Sequence, residues 1–305
     1  MRLKSALRRG VAAAVIAGIV VSSGIPAYAA RWDIANGDIT VKAGDAEGKN
    51  KVSQGETIDK DDTNTVITGE SDKNTVTIDT SKGDVDVTFD DLKIDVSGKA
   101  EGDVSGDGPV DAGKAAVTVQ GDHDVTIELD GDNELKSGSY HAGLEKNEHE
   151  SKGTLTIKDD NDTKGALTAE GGFGGAGIGG GANSSQATTI NISGGTINAQ
   201  GVGGGAGIGG GKNSSGATKI DISGNALVYA HGNDGAAIGS GESSAGETTI
   251  TIHDTTAEKG VKSAFAYNGA GIGSGHYASG KTHITIRNAS VSSLESSTAS
   301  TNNPG

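Results

Sequence analysis

A glycine-rich motif recurs four times at nearly constant spacing, and this restricts the chain to folds that stack one unit on the next. GGAGIGGG stands at 174–181 and again at 204–211, GAAIGSG at 235–241 and GAGIGSG at 269–275. The isoleucines of these motifs, Ile178, Ile208, Ile238 and Ile272, are 30, 30 and 34 residues apart. A second landmark keeps the same step: Ile190 and Ile192 in TTINIS, Ile220 and Ile222 in TKIDIS, Ile250 and Ile252 in TTITIH, Ile284 and Ile286 in THITIR.

Each period holds three short extended segments, such as GAGIG, TTINIS and GTINAQG, divided by Gly, Ser and Asn turns. Ile190 and Ile192 alternate with polar Thr189, Asn191 and Ser193, the period of a strand and not of a helix. Three strands per period, stacked on copies of themselves, define an all-β right-handed single-stranded parallel β-helix of about 30 residues per rung. The hand follows from the bias of parallel crossovers. Equivalent side chains would then lie about 4.8 Å apart along the axis, so a thin but continuous core suffices. The glycine runs are not phosphate loops, because no helix follows any of them.

Composition supports an exported protein held together without disulfides. Arg2, Lys4, Arg8 and Arg9 precede an apolar stretch over 11–21 and the small-residue site Ala27-Tyr28-Ala29, so 1–29 reads as a signal peptide. Nothing later is long enough to span a bilayer, and no cysteine is present. Removing the leader takes away 4 of 25 basic residues and none of the 40 acidic ones, leaving a net charge of 21 minus 40, or −19. A chain this acidic is not expected to bind nucleic acid. The acid is lopsided, with 33 acidic residues over 31–170 and only 7 from 171 onward.

The rhythm continues upstream in degenerate form. Leu144 stands where Ile178 will stand, Leu155 and Ile157 where the isoleucine pair will stand, and before them come Val117, Val125 and Leu135, then Val76, Val87 and Leu92. One helix of roughly eight rungs from Ile34 to Val291 is expected. The domain reading is a cap with first strands over 30–62, the helix over 63–292, and a Ser/Thr-rich linker or tail over 293–305, with further domains beyond 305 left open. The cap centres on Trp32 and Ile34.

The stretches VTFDDLKIDVSG, AAVTVQGDHDVTIELDGDNELKSGSYHAGLE, GTLTIKDD, GALTAEGG and GAGIGGG resemble the secreted carbohydrate-binding parallel β-helix proteins of Gram-positive bacteria, the GGAGIGGG-repeat cell-surface proteins of pectin-binding type. The likeness covers Val76 to Ile286. It implies a cell-surface β-helix that binds plant or other acidic polysaccharide, sometimes with calcium, and lacks lyase activity. It assigns no ligand residues.

The residues themselves offer one candidate binding patch. Sugar recognition needs aromatic faces beside polar groups. With the third strands aligned on Ala169, Ala199, Ala230 and Ala266, the outward neighbours are Asn198 and Gln200, Tyr229 and His231, and Phe265 and Tyr267. His276 and Tyr277 extend the patch. The expected partner is a polysaccharide or cell-surface glycan, with no cofactor required. Calcium is the possible exception, because the acidic turns Asp159, Asp160 and Asp162, and Asp122, Asp124, Asp130 and Asp132, could offer several oxygens to one hard cation. The rival readings are a structural stalk or surface presentation element and, further off, a polysaccharide lyase or hydrolase, for which no nucleophile, base and orienting group assemble.

Overall fold

The structure is a computed structural model that describes residues 30–296, except 47, 100–112, 149–151, 162 and 293. The expected signal peptide, Asp162 and the end of the tail lie outside the described residues. The chain is all-β, 52% strand, and winds into a parallel β-solenoid of about seven turns with roughly 34 residues per turn. Among the described residues no helix is long and apolar enough to cross a membrane.

Eight strands stack in the first ladder: Ile39–Ala43, Val76–Asp79, Val117–Gln120, Leu144–Glu148, Ile178–Gly179, Ile208–Gly209, Ile238–Gly239 and Ile272–Gly273. Eight strands make seven steps, which reconciles the expected rung count with the turns observed. The mean turn exceeds 30 residues because the early steps are long. Ile39 to Val76 takes 37 residues and Val76 to Val117 takes 41, whereas Ile178, Ile208 and Ile238 follow one another at 30.

The second and third ladders share one sheet. In the early turns a single strand supplies both, as in Val85–Asp95 and Val125–Lys136. Later turns divide it: Thr188–Ile192, Thr218–Ser223 and Thr248–His253 build the second ladder, and Thr196–Val202, Leu227–Gly232 and Gly260–Ala266 the third. Ile190, Ile220 and Ile250 stand in register, as do Ile192, Ile222 and Ile252, and all six are fully buried. Each is worth about 2 kcal/mol of burial, and the column is as long as the stack.

Glycine fixes the shape of the first ladder. Gly209 and Gly239 have φ of +135° and +146°, and a Cβ on Gly209 would lie 1.9 Å from the Gly239 carbonyl oxygen. The glycines between these also thin the cross-section: a Cβ on Gly207 would meet the His231 backbone nitrogen at 2.8 Å. The short first strand therefore lies flat against the back of the third, where Ala199, Ala230 and Ala264 supply equally small inward side chains.

The two ends differ. At the N-terminal end Ile39–Ala43 pairs in antiparallel fashion with Asn50–Gln54, which pairs in turn with Thr57–Asp62. This hairpin closes over Trp32, whose Nε1 donates to Asp62 Oδ2 at 2.7 Å while Lys60 Nζ sits 5.5 Å from its ring centroid. Trp32 and Ile34 are buried as expected of a cap, but the covering element is the hairpin. It shields the strand edge that would otherwise recruit another chain. At the C-terminal end Thr282–Arg287 is the last strand of its ladder, and Ile284 and Ile286 are 46% and 45% exposed. Part of the expected linker is itself a strand: Leu294–Ser296 pairs with Ala264–Ala266 and takes up the backbone donors and acceptors of its outer edge.

Candidate functional site

Two outward columns run along the third ladder. Glu70, Lys93, Glu134, Thr168, Asn198, Tyr229 and Ser263 make one; Asp95, Lys136, Glu170, Gln200, His231 and Phe265 make the other. Period-two alternation puts every one of them on the outer surface, because Leu135, Ala169, Ala199, Ala230 and Ala264 between the columns point into the core. From the N-terminal end to the C-terminal end the face changes from charged, through amide, to aromatic.

The C-terminal part of this face is a shallow groove of about 240 Å³ lined by Thr168, Glu170, Asn198, Gln200, Tyr229, His231, Ser263 and Phe265. His231 and Phe265 are stacked, with ring centroids 5.1 Å apart and planes 9° from parallel, a spacing imposed by the rise between rungs. Burial holds the His231 imidazole below its ordinary pKa, so at pH 7 the stack is neutral. Tyr229 is partly exposed beside it. Two flat rings, a phenol and two amides share one surface.

One of the expected residues joins this groove beside a different neighbour and three do not join it. The third strand of the last complete turn has one extra residue, Lys262, opposite the step from Val228 to Tyr229, and Ala264, not Ala266, aligns with Ala230. Phe265 therefore covers His231, Ser263 opposes Tyr229, and Tyr267 falls beyond the strand, its N–H bonded to the Asn233 carbonyl. His276 and Tyr277 occupy the turn after the glycine strand. The His276 N–H donates to the Asp234 carbonyl at 2.7 Å, which places the pair at the corner beside the groove. They stack on each other at 3.7 Å.

The acidic turns meet only in part, where Asp130 and Asp160 line one depression together with the Lys158 ammonium. Asp124 and Asp130 flank a strand leg of the same rung, and six residues of strand span roughly 20 Å, far beyond the reach of one calcium ion. The acids bond to neighbouring rungs instead. Asp84 Oδ1 accepts the Asp124 N–H at 3.0 Å, Asp124 Oδ1 accepts the Thr154 N–H at 2.7 Å, and Asp91 Oδ1 accepts the Asp132 N–H at 2.9 Å. Asp159 accepts from the Gly165 N–H, and Asp130 from the Asn161 amide at 2.6 Å. Burial, with Asp90 and Asp159 nearby, pushes the Asp130 carboxyl up. The Lys158 ammonium bonded to Asp160 holds that carboxyl down. Among the described residues no group of three or more His, Cys, Asp or Glu side chains could hold a metal ion. Several carboxylates of the N-terminal half thus accept backbone N–H groups of the next turn.

The larger depressions are closed by their own charges. One of about 550 Å³ holds Lys93, Asp95, Glu134 and Lys136, with Lys136 paired to Glu134. One of about 440 Å³ on the second ladder holds Glu128, Asp130, Lys158 and Asp160, with Lys158 bridging Glu128 at 3.1 Å and Asp160 at 2.8 Å. Neither offers the aromatic surface of the smaller groove.

Two features carry no signal in the repeat. Phe173, half exposed at the end of its third strand, has Lys212 Nζ 5.7 Å from its ring centroid. Glu145, which stands where later turns have Gly179 and Gly209, is buried and accepts the Ala142 N–H at 2.8 Å and contacts His141 Nδ1 at 3.1 Å. An exposed phenylalanine at a strand end is the signal that marks the first; the second shows only as a charged residue in a glycine column.

Comparison with protein-family models, with curated proteins and with solved structures returned no match, so the functional reading rests on the geometry of the face itself.

Proposed function

We propose that this chain is a secreted, non-catalytic carbohydrate-binding β-helix, and that a glycan lies along the groove of the third ladder. The observation that carries the reading is the neutral His231–Phe265 stack flanked by Tyr229, Asn198 and Gln200 on one rigid sheet face. Because the His231 and Phe265 rings face each other, a sugar would pack its C–H groups against their outward edges and against the exposed Tyr229 ring, and amides can both donate to and accept from the hydroxyls. The site is preorganised, because each side chain is anchored on a strand that is hydrogen-bonded on both sides.

A glycan array probed with the purified chain tests this. Binding to at least one glycan is expected, with Tyr229→Ala plus Phe265→Ala lowering the affinity at least ~10-fold, the scale of two lost stacking contacts. An unchanged affinity in the double variant removes this groove as the site. A stalk or presentation element is the second reading, favoured by the apolar end left at Ile284 and Ile286, on which a further layer could stack. An empty array would leave that reading standing.

A further inference from the structure

We infer that the groove selects neutral glycans and rejects uronate-bearing ones, with Glu170 as the discriminating residue; this rests on the carbohydrate-binding reading above. Around the stacked rings the groove's polar groups are uncharged, apart from one carboxylate, that of Glu170, which lies in register beneath Gln200. The neighbouring cations are bonded elsewhere. Lys136, in register one turn below Glu170, feels that carboxylate at a distance but has its ammonium hydrogen-bonded to Glu134, and Lys262, on the next strand above Tyr229, donates to the Ala257 carbonyl at 2.7 Å. His231 adds no charge, because burial favours its neutral form.

A glycan chain that crosses Tyr229 and His231 and runs down the columns therefore meets amides first and then a single negative group. A carboxylate on a sugar at that point finds no guanidinium or free ammonium to replace its water, and it faces a like charge. Sugar hydroxyls, by contrast, donate to a carboxylate readily. The chain's net charge of −19 without its leader acts in the same direction at longer range. The ligand class drawn from the groove thus differs from the acidic polysaccharide that the resemblance implies.

The test is an array of neutral glucans, mannans and galactans beside polygalacturonate and alginate, read at low salt for the full chain, Glu170→Gln and Glu170→Lys, with thermal melts to show that the surface variants fold. The expected result is a neutral glycan ranking first. Uronate polymers should bind the unaltered chain at least about tenfold more weakly, and Glu170→Lys should close most of that gap, the size expected of one like-charge contact at the surface. A uronate polymer ranking first, or an unchanged ranking in Glu170→Lys, overturns this inference while leaving the carbohydrate-binding reading intact. No binding to any glycan overturns both.

Discussion

Lys146 stands in register over Val119 in an inward-facing column of the first ladder, and its ammonium nitrogen is buried without a hydrogen-bond partner. The neighbouring residue Leu144 takes the core position that Ile178 fills in the next turn, so Lys146 occupies the wall of an otherwise dry interior. Burial pulls its pKa down to about 8, against a smaller opposing pull from Asp124 and Asp122.

The sign of the pH effect follows from that depression. An unfolded chain holds the Lys146 proton up to about pH 10.5, whereas the folded chain gives it up near pH 8, so the unfolded state binds more protons between these values. Stability therefore rises with pH across this window, and below pH 8 the full cost of the buried charge is present. Lys146→Met keeps an unbranched side chain only one atom shorter and removes the charge. It should stabilise the protein at pH 7 by about 2 kcal/mol and abolish the rise between pH 8 and 10.5 relative to the unaltered chain. Urea melts of both proteins at pH 7, 9 and 10 check this; parallel pH profiles would show that Lys146 is solvated.

The second prediction separates the middle of the stack from its end. Ile220 is fully buried between Ile190 and Ile250, whereas Ile284 covers Ile250 from one side only and remains 46% exposed. Ile220→Ala should cost about 3 to 4 kcal/mol and Ile284→Ala about 1 kcal/mol, because only the first leaves a closed cavity. Chemical denaturation of the two variants gives the comparison, and equal losses would mean that another layer covers the C-terminal end.

How far the sequence reveals all this depends on what repeats. The columns of Ile190, Ile220 and Ile250 were legible because alternation within each strand and the 30-residue step point to the same register. The third strand of the last turn was not, because Ala264 and Ala266 both satisfy a period of two, and a slip of two residues keeps every side chain on its own face. Sequence pattern thus placed Phe265 on the correct face beside the wrong neighbour, and took Tyr267 for a strand residue. The acidic turns show a different limit of sequence reading: Asp124 and Asp130 are close in sequence, but strand extension separates them. The N-terminal hairpin follows no repeat, so the sequence points only to a cap around Trp32 and Ile34 and not to the element that covers them.

Glycine substitution distinguishes close backbone approach from simple turn preference. Gly209 has φ of +135° and the Gly239 carbonyl oxygen would lie 1.9 Å from a new Cβ, while Gly48 has φ of +69° with nothing within 4 Å. Gly48→Ala should cost about 1 kcal/mol, the conformational penalty alone. Gly209→Ala should cost about 3 kcal/mol or more and slow accumulation of folded protein, because neither the backbone nor the rung above can yield. Thermal melts of the pair would reveal similar losses if the glycine ladder were looser than its geometry indicates.

Tyr277 offers the last test, since it sits in a left-handed turn position where most side chains are strained. The equivalent residues one to three turns below are Ser243, Asn213 and Asn183, and all four have φ between 55° and 61°. Asparagine tolerates this region because its short amide compensates locally, tyrosine tolerates it less, and a β-branched side chain fits it worst. Tyr277 is 76% exposed, so little packing offsets the strain beyond its stack on His276. Tyr277→Asn should therefore raise stability by about 0.5 kcal/mol and Tyr277→Val lower it by about 1 kcal/mol, a difference of a few degrees between the two melting temperatures. Because the ring stands at the corner beside the groove, Tyr277→Asn should also leave glycan affinity unchanged. A loss of affinity in that variant would extend the binding surface around the corner.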